Sequence, residues 1–114
     1  MRSDATTEFF RRLEARGHEP RLAKATGTVR FDLTNGKRTD RWLVTIDKGD
    51  VAVSHRNRKA DCVVRADKKV FDNIATGKVN PFAAALRGEV VIEGNTELLI
   101  VLQRLLPGPP RSSS

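Results

Sequence analysis

The chain has no tyrosine, one cysteine, two histidines and one tryptophan. Each shortage excludes something. The single Cys62 cannot form an internal disulfide, so nothing demands an oxidising compartment and the cytoplasm is the default location. No stretch approaches the roughly 20 apolar residues of a membrane span. The opening MRSDATTEFF has no apolar signal region, so no secretory signal is expected. The ending is not the Ser-Lys-Leu peroxisomal address. Neither His18 nor His55 has a histidine or cysteine partner at metal-ligand spacing, which argues against zinc. There is no phosphate-binding glycine loop and no serine elbow. Cys62 lies in an apolar strand, where an inert thiol is commoner than a nucleophile. Asp47 and Asp50 flank a turn that explains both. Together these absences leave no catalytic set and no cofactor to expect. Five phenylalanines and Trp42 fall mostly at core-like positions, so the stacking platform of a single-strand nucleic-acid reader is also missing, and nucleic acid is not the expected partner.

What remains is a basic chain of 114 residues with net charge +7. That length suits one domain. The expected domain spans residues 1–106, and the tail PGPPRSSS from Pro107 is too rich in Pro and Ser to enter a core. The charge suits contact with an anionic membrane or an acidic ligand, although solubility explains it as well. Basic and acidic residues are interspersed except in HRNRK, His55 to Lys59, and around Arg11, Arg12 and Arg16.

The pattern along the chain is mixed. Asp4 or Thr6 can cap a helix whose apolar stripe is Phe9, Phe10 and Leu13, ended by Gly17. Thr28 to Leu33 alternates as a half-buried strand, and Asn35-Gly36 signals a hairpin. Further strands are expected at Asp40 to Asp47, at Val51 and Val53, and at Asp61 to Ala66. Leu43 and Cys62 make two of them apolar on both faces. Asp67 can cap a helix bearing Val70, Phe71 and Ile74, ended by Gly77. A second short helix, Pro81 to Arg87, is capped by Asn80 and stopped by Gly88. Glu89 to Glu93 is a fifth strand, and Asn95 caps a final helix, Thr96 to Leu106, that is apolar around most of its circumference. Such a helix needs cover on more than one side. The fold class is therefore α/β (α+β), a five-stranded, mostly antiparallel sheet covered by helices.

One stretch raises a question that composition cannot answer. In TGKVNPFAAALRGEVVIEGN the helix carries Ala83, Ala84 and Ala85 in a row between Phe82 and Leu86. Alanines form helix well but bury little surface. The helix either packs very close to a neighbour or leaves room beside itself.

From about Thr26 to Leu106 the chain resembles the sterol carrier protein type two family of lipid-transfer domains. The resemblance rests on TNGKRTDRWLVTIDKGDVAV, on ADCVVRADKKVFDNIATGKVNPFAAALRGEVVIEGN with its ordered Gly77, Gly88 and Gly94, and on the leucine-rich closing helix. Where the family often has Gly-Asp at the last-helix entry, this chain has Gly94-Asn95, which caps equally well. The resemblance implies a twisted sheet and a helical layer around an apolar tunnel that takes fatty acid, fatty acyl-CoA, phospholipid or sterol, with no chemistry in the isolated domain. It implies lipid-binding positions at Trp42, Val44, Ile46, Phe71, Ile74, Phe82, Ala85, Leu86, Leu98, Leu102 and Leu105, each of which is also a core candidate. Arg56, Arg58 and Lys59 are the candidate cationic rim at the tunnel mouth, for an anionic head group or an anionic membrane. The alternative is an interaction module whose apolar last helix is buried in a homodimer or against a lipid-metabolising enzyme.

Overall fold

The structure, a computed structural model, describes residues 4–103. The expectations for the tail and for Leu105 lie outside these residues. The elements in chain order are α1 (Ala5–Arg16), a single 3-10 turn (Pro20–Leu22), β1 (Thr26–Asn35), β2 (Arg38–Asp47), β3 (Asp50–Ser54), β4 (Cys62–Asp67), α2 (Lys68–Ala75), α3 (Pro81–Leu86), β5 (Val90–Gly94) and α4 (Thr96–Gln103).

Local chemistry sets most of these bounds. Asp4 accepts the Thr7 N–H at 2.7 Å and starts α1. Asn80 accepts from Phe82 and Ala83, with Pro81 following at the first helical position of α3. Asn95 accepts from the Glu97 N–H at 3.0 Å at the head of α4. Asp67 is different. It precedes α2 but makes no side-chain cap there, because its carboxylate accepts the Thr34 hydroxyl at 2.6 Å instead. The 3-10 turn has no signal in the hydropathy pattern, yet it drives Leu22 completely out of solvent.

The sheet order is β3-β2-β1-β4-β5. Three of its four pairings are antiparallel, and β1 with β4 is parallel. Because side chains alternate across a strand, the register divides the sheet into two faces. Val29, Phe31 and Leu33 of β1 share the inner face with Trp42, Val44 and Ile46 of β2 and with Cys62, Val64 and Ala66 of β4. The helices cover this face. Phe10, fully buried, is the centre of the packing. It stacks on Trp42 at 4.4 Å and on Phe71 at 5.6 Å, and meets Phe31 edge-on at 5.2 Å. Gly27 lets α4 come down onto β1, since a Cβ there would sit 2.6 Å from Leu98 Cδ1.

The outer face carries Arg30, Asp32, Arg41, Arg65 and Glu93. It also carries Leu43, which is buried. Its cover comes from the connection between β3 and β4. Both strands run parallel to β1, so residues 55–61 must carry the chain back past β2 and β1. Arg30 Nη1 donates to Arg58 O at 3.0 Å, which fixes that crossing on the outer side. Thr28 and Asp61 close its far end, with the Asp61 N–H donating to Thr28 Oγ1 at 3.1 Å.

Candidate ligand-binding site

The helical layer converges on one apolar space over the inner face. Phe9 of α1, Phe71 and Ile74 of α2, Pro81 of α3, and Leu99, Leu102 and Gln103 of α4 form its walls and roof. Phe31, Val64 and Val90 form its floor. Only apolar atoms face inward, Gln103 included. The cavity is about 20 Å³, room for roughly one water. The side chains of its own walls fill most of it.

A polar latch ties together two of the walls. Asp72 Oδ1 of α2 accepts the Thr6 N–H at 3.0 Å and the Thr6 hydroxyl at 2.5 Å. Lys68 Nζ lies 2.8 Å from Asp4 and 3.1 Å from Asp72. Partial burial would raise the Asp4 carboxyl, but bonds from Lys68 and Thr7 outweigh it and hold the pKa down at about 2. Lys68 moves upward, since its two carboxylate partners outweigh its own desolvation. The latch sits beside Phe9 and Phe71, so it holds α1 and α2 together where they enclose the space.

The expected lining residues divide into three groups. Phe71, Ile74 and Leu102 border the space. Val44, Ile46 and Leu98 are buried in the general core instead, under α1 and α4, and Trp42 is half-buried between Phe10 and His55. Phe82, Ala85 and Leu86 do not border it. Leu86, in the last turn of α3, is 90% exposed. The alanines serve close packing: Ala84 is fully buried and Ala83 and Ala85 half-buried, and Pro81 is the residue α3 contributes to the wall. Leu105 lies outside the described residues.

The candidate cationic rim lies apart from this space. Arg56, Arg58 and Lys59 are exposed on the crossing loop, and the Arg30–Arg58 bond puts that loop on the outer side of the sheet. The apolar space is on the inner side, with no cation among its lining residues. Cys62 is buried, and burial pushes its thiol pKa up, as an inert core thiol requires. Among the described residues no group of three or more His, Cys, Asp or Glu is placed to hold a metal. No described helix is long and apolar enough to cross a membrane.

Residues the pattern did not single out complete the site. Phe9, Pro81 and Gln103 were legible only as helix residues, and the direction each faces depends on how four helices tilt over the sheet.

Residues 7–107 match the SCP-2 sterol transfer family. Human sterol carrier protein 2 is 32% identical over 101 residues, which is 86% of this chain and 18% of that protein. The chain spans about a quarter or less of the length of the curated relatives it matches. Among solved structures, the sterol carrier protein domain 2 of Helicoverpa armigera superposes with a TM-score of 0.76 at 24% identity, covering 96% of this chain and 93% of that one. Sterol carrier protein 2 of Aedes aegypti in complex with palmitate gives a TM-score of 0.72 at 18% identity, covering 93% of this chain and all of that one.

Proposed function

This chain belongs to the SCP-2 sterol transfer family, and we propose that it binds a lipid tail in the space beneath its four helices and hands it on without chemistry of its own. The observation that carries this reading is the apolar space itself, onto which all four helices and three strands converge. A related protein that shares the fold was solved with palmitate.

The space in its present form holds no acyl chain, so binding requires the cover to move. Burying a methylene yields about 0.8 kcal/mol, and a chain of roughly sixteen carbons therefore offers about 12 kcal/mol gross. Micromolar affinity requires only about 8 kcal/mol, which leaves about 4 kcal/mol to offset ordering of the lipid and displacement of the helices. With no cation among the described lining residues, a charged head group stays outside. Gln103, half-exposed at the edge, is the one polar side chain among the described lining residues and is placed to meet it. Selectivity by head group is then weak.

Native mass spectrometry of the purified protein, followed by organic extraction, tests this directly. Lipid at a reproducible stoichiometry supports a carrier. A titration with a fluorescent fatty acid, read by energy transfer from Trp42, completes the test; no saturable binding there would end this reading. Leu86, 90% exposed, and Ile100, 46% exposed, favour a second role in contacting another protein, including a second copy. Sedimentation of the wild type against Leu86→Ser separates the two, since only the contact role ties Leu86 to assembly.

A further inference from the structure

The outer face of the sheet has chemistry that lipid binding does not use, and the cleft it borders shares no lining residue with the apolar space. Asp32 lies at its centre with a side chain only 10% exposed. Arg30 grips this carboxylate with a fork, at 2.9 and 3.1 Å, and accounts for its charge. Two further guanidiniums flank the same carboxylate from neighbouring strands without bonding it. Arg41 Nε stands 3.7 Å from Asp32 and Arg65 Nε 3.8 Å. Those distances are too long for hydrogen bonds. Arg65 has a second partner in Glu93. Arg41 has none at bonding distance among the described residues, and its Nε is buried. A buried guanidinium nitrogen left without an acceptor is costly. The rest of the Arg41 side chain, 40% exposed, lines a cleft and makes no hydrogen bond among the described residues.

The cleft is there. It is about 600 Å³, within the range of small-molecule sites, and Arg41, Arg65 and Thr39 border it. Two other carboxylates also border it, and each is engaged: Asp67 accepts the Thr34 hydroxyl, and Glu89 pairs with Arg87 at 3.0 Å. The crossing loop, tied to Arg30 through Arg58 O, adds exposed Arg56, Arg58 and Lys59, which make no ion pair among the described residues and favour the approach of anions.

We propose that this cleft is a second binding site, for a phosphate group carried on a small organic body, with Arg41 and Arg65 as its two forks and Thr39 as a further donor. A tetrahedral oxyanion presents enough acceptors for both guanidiniums, where a single carboxylate serves one. The cleft is much larger than a bare ion, which leaves room for the organic portion. The phosphate could belong to a soluble ester or to a lipid head group.

Two probes distinguish those sources. Glycerol 3-phosphate is titrated by calorimetry and by amide chemical shifts, and vesicles of phosphatidylcholine with one-fifth phosphatidic acid are tested by co-sedimentation. Saturable binding of the soluble ester, weakened at least tenfold in both Arg41→Gln and Arg65→Gln, supports the site and a soluble ligand. Vesicle binding alone, lost in the same variants, supports the site and a head group. Arg41→Lys keeps the charge but not the fork and is expected to lose most of the affinity, which provides a second variant should Arg41→Gln fold poorly. The triple variant of Lys24, Lys37 and Lys69 to Gln is the charge control. If neither probe binds, or if the control loses as much affinity as the arginine variants, the proposal is wrong. Fatty-acid uptake, measured in parallel, reports on the apolar space alone, so either site can fail without the other.

Discussion

Replacing Leu102 by alanine tests whether the space under the helices is the ligand site or only a packing defect. Leu102 is 2% exposed and borders the space. Leu→Ala in a core costs about 2–5 kcal/mol, a large share of the 5–15 kcal/mol that holds a domain of this size together. The cost arises partly because the void grows, at about 24 cal/mol per Å³. By that measure the present 20 Å³ costs only about 0.5 kcal/mol. A void of about 150 Å³, large enough for benzene, would cost about 3.6 kcal/mol. A closed space is therefore the stable empty state, and Leu102→Ala moves the protein towards an open one. Leu13→Ala is the control, because Leu13 is equally buried on α1 but does not border the space. Urea unfolding is followed by circular dichroism with and without decanoic acid. A ligand at a hundred times its Kd adds about 2.7 kcal/mol. The expectation is that both variants lose stability and that the ligand restores Leu102→Ala by more than it lifts Leu13→Ala. Equal restoration of the two, or none in Leu102→Ala, would refute the argument.

The latch makes a kinetic prediction. Asp72→Ala leaves the buried Thr6 N–H and hydroxyl without their acceptor, so it costs about 1–3 kcal/mol and speeds fatty-acid exchange in stopped-flow mixing. Neutralising Arg56, Arg58 and Lys59 together to Gln leaves fatty-acid affinity within twofold, since these cations lie on the other side of the sheet; a loss in direct titration would return them to the mouth. Stability falls in acid. Asp4 is held at about 2 against 3.8, and Glu19 at about 2 against 4.5, chiefly by its bond from Arg21 and, against burial, by further bonds from Arg16 and the Arg21 N–H. Folded pKa values lower than unfolded ones give stability that is complete above about pH 5 and lost as the pH falls towards 2. Because Asp4 is well exposed its share of the loss is modest, and urea midpoints from pH 6 to pH 2 should fall less steeply in Asp4→Asn than in the wild type.

Most of the fold was legible because its signals are local. Asp4, Asn80 and Asn95 each act within a few residues and are found where the pattern put them, and the Asn35-Gly36 signal marks a hairpin whose turn residues are Gly36 and Lys37. Period-two alternation assigned Val29, Phe31 and Leu33 to the covered face. The 3-10 turn at Pro20–Leu22 escaped because one buried leucine in a polar loop has no period. Asp67 precedes α2 as expected, but Thr34, 33 residues away, takes its carboxylate, and no local rule foresees such a partner.

The site was less legible, for a related reason. Apolar periodicity reports that a side chain faces inward, not which of several inward positions is left partly empty. Val44 and Phe71 look alike in sequence; the one is buried away from the space, while the other sits where four helices meet. The alanines show the ambiguity most clearly. A run of small residues beside a cavity and a run pressed against a strand read identically, and only the burial of Ala84 decides for close packing. The place of the basic loop depended on topology. HRNRK joins β3 to β4, and its side of the sheet follows from the parallel pairing of β1 with β4, a contact between segments some thirty residues apart. That same pairing brings Arg65 beside Asp32, as the β1–β2 hairpin brings Arg41. Three arginines scattered at positions 30, 41 and 65 carry no motif, yet the sheet aligns them around a single carboxylate. A lipid site that needs only apolar surface tolerates wide variation in which residues supply it. An oxyanion site built on two forks does not, and so the outer face is where substitution of one residue, Arg41, should have the sharper and more specific effect.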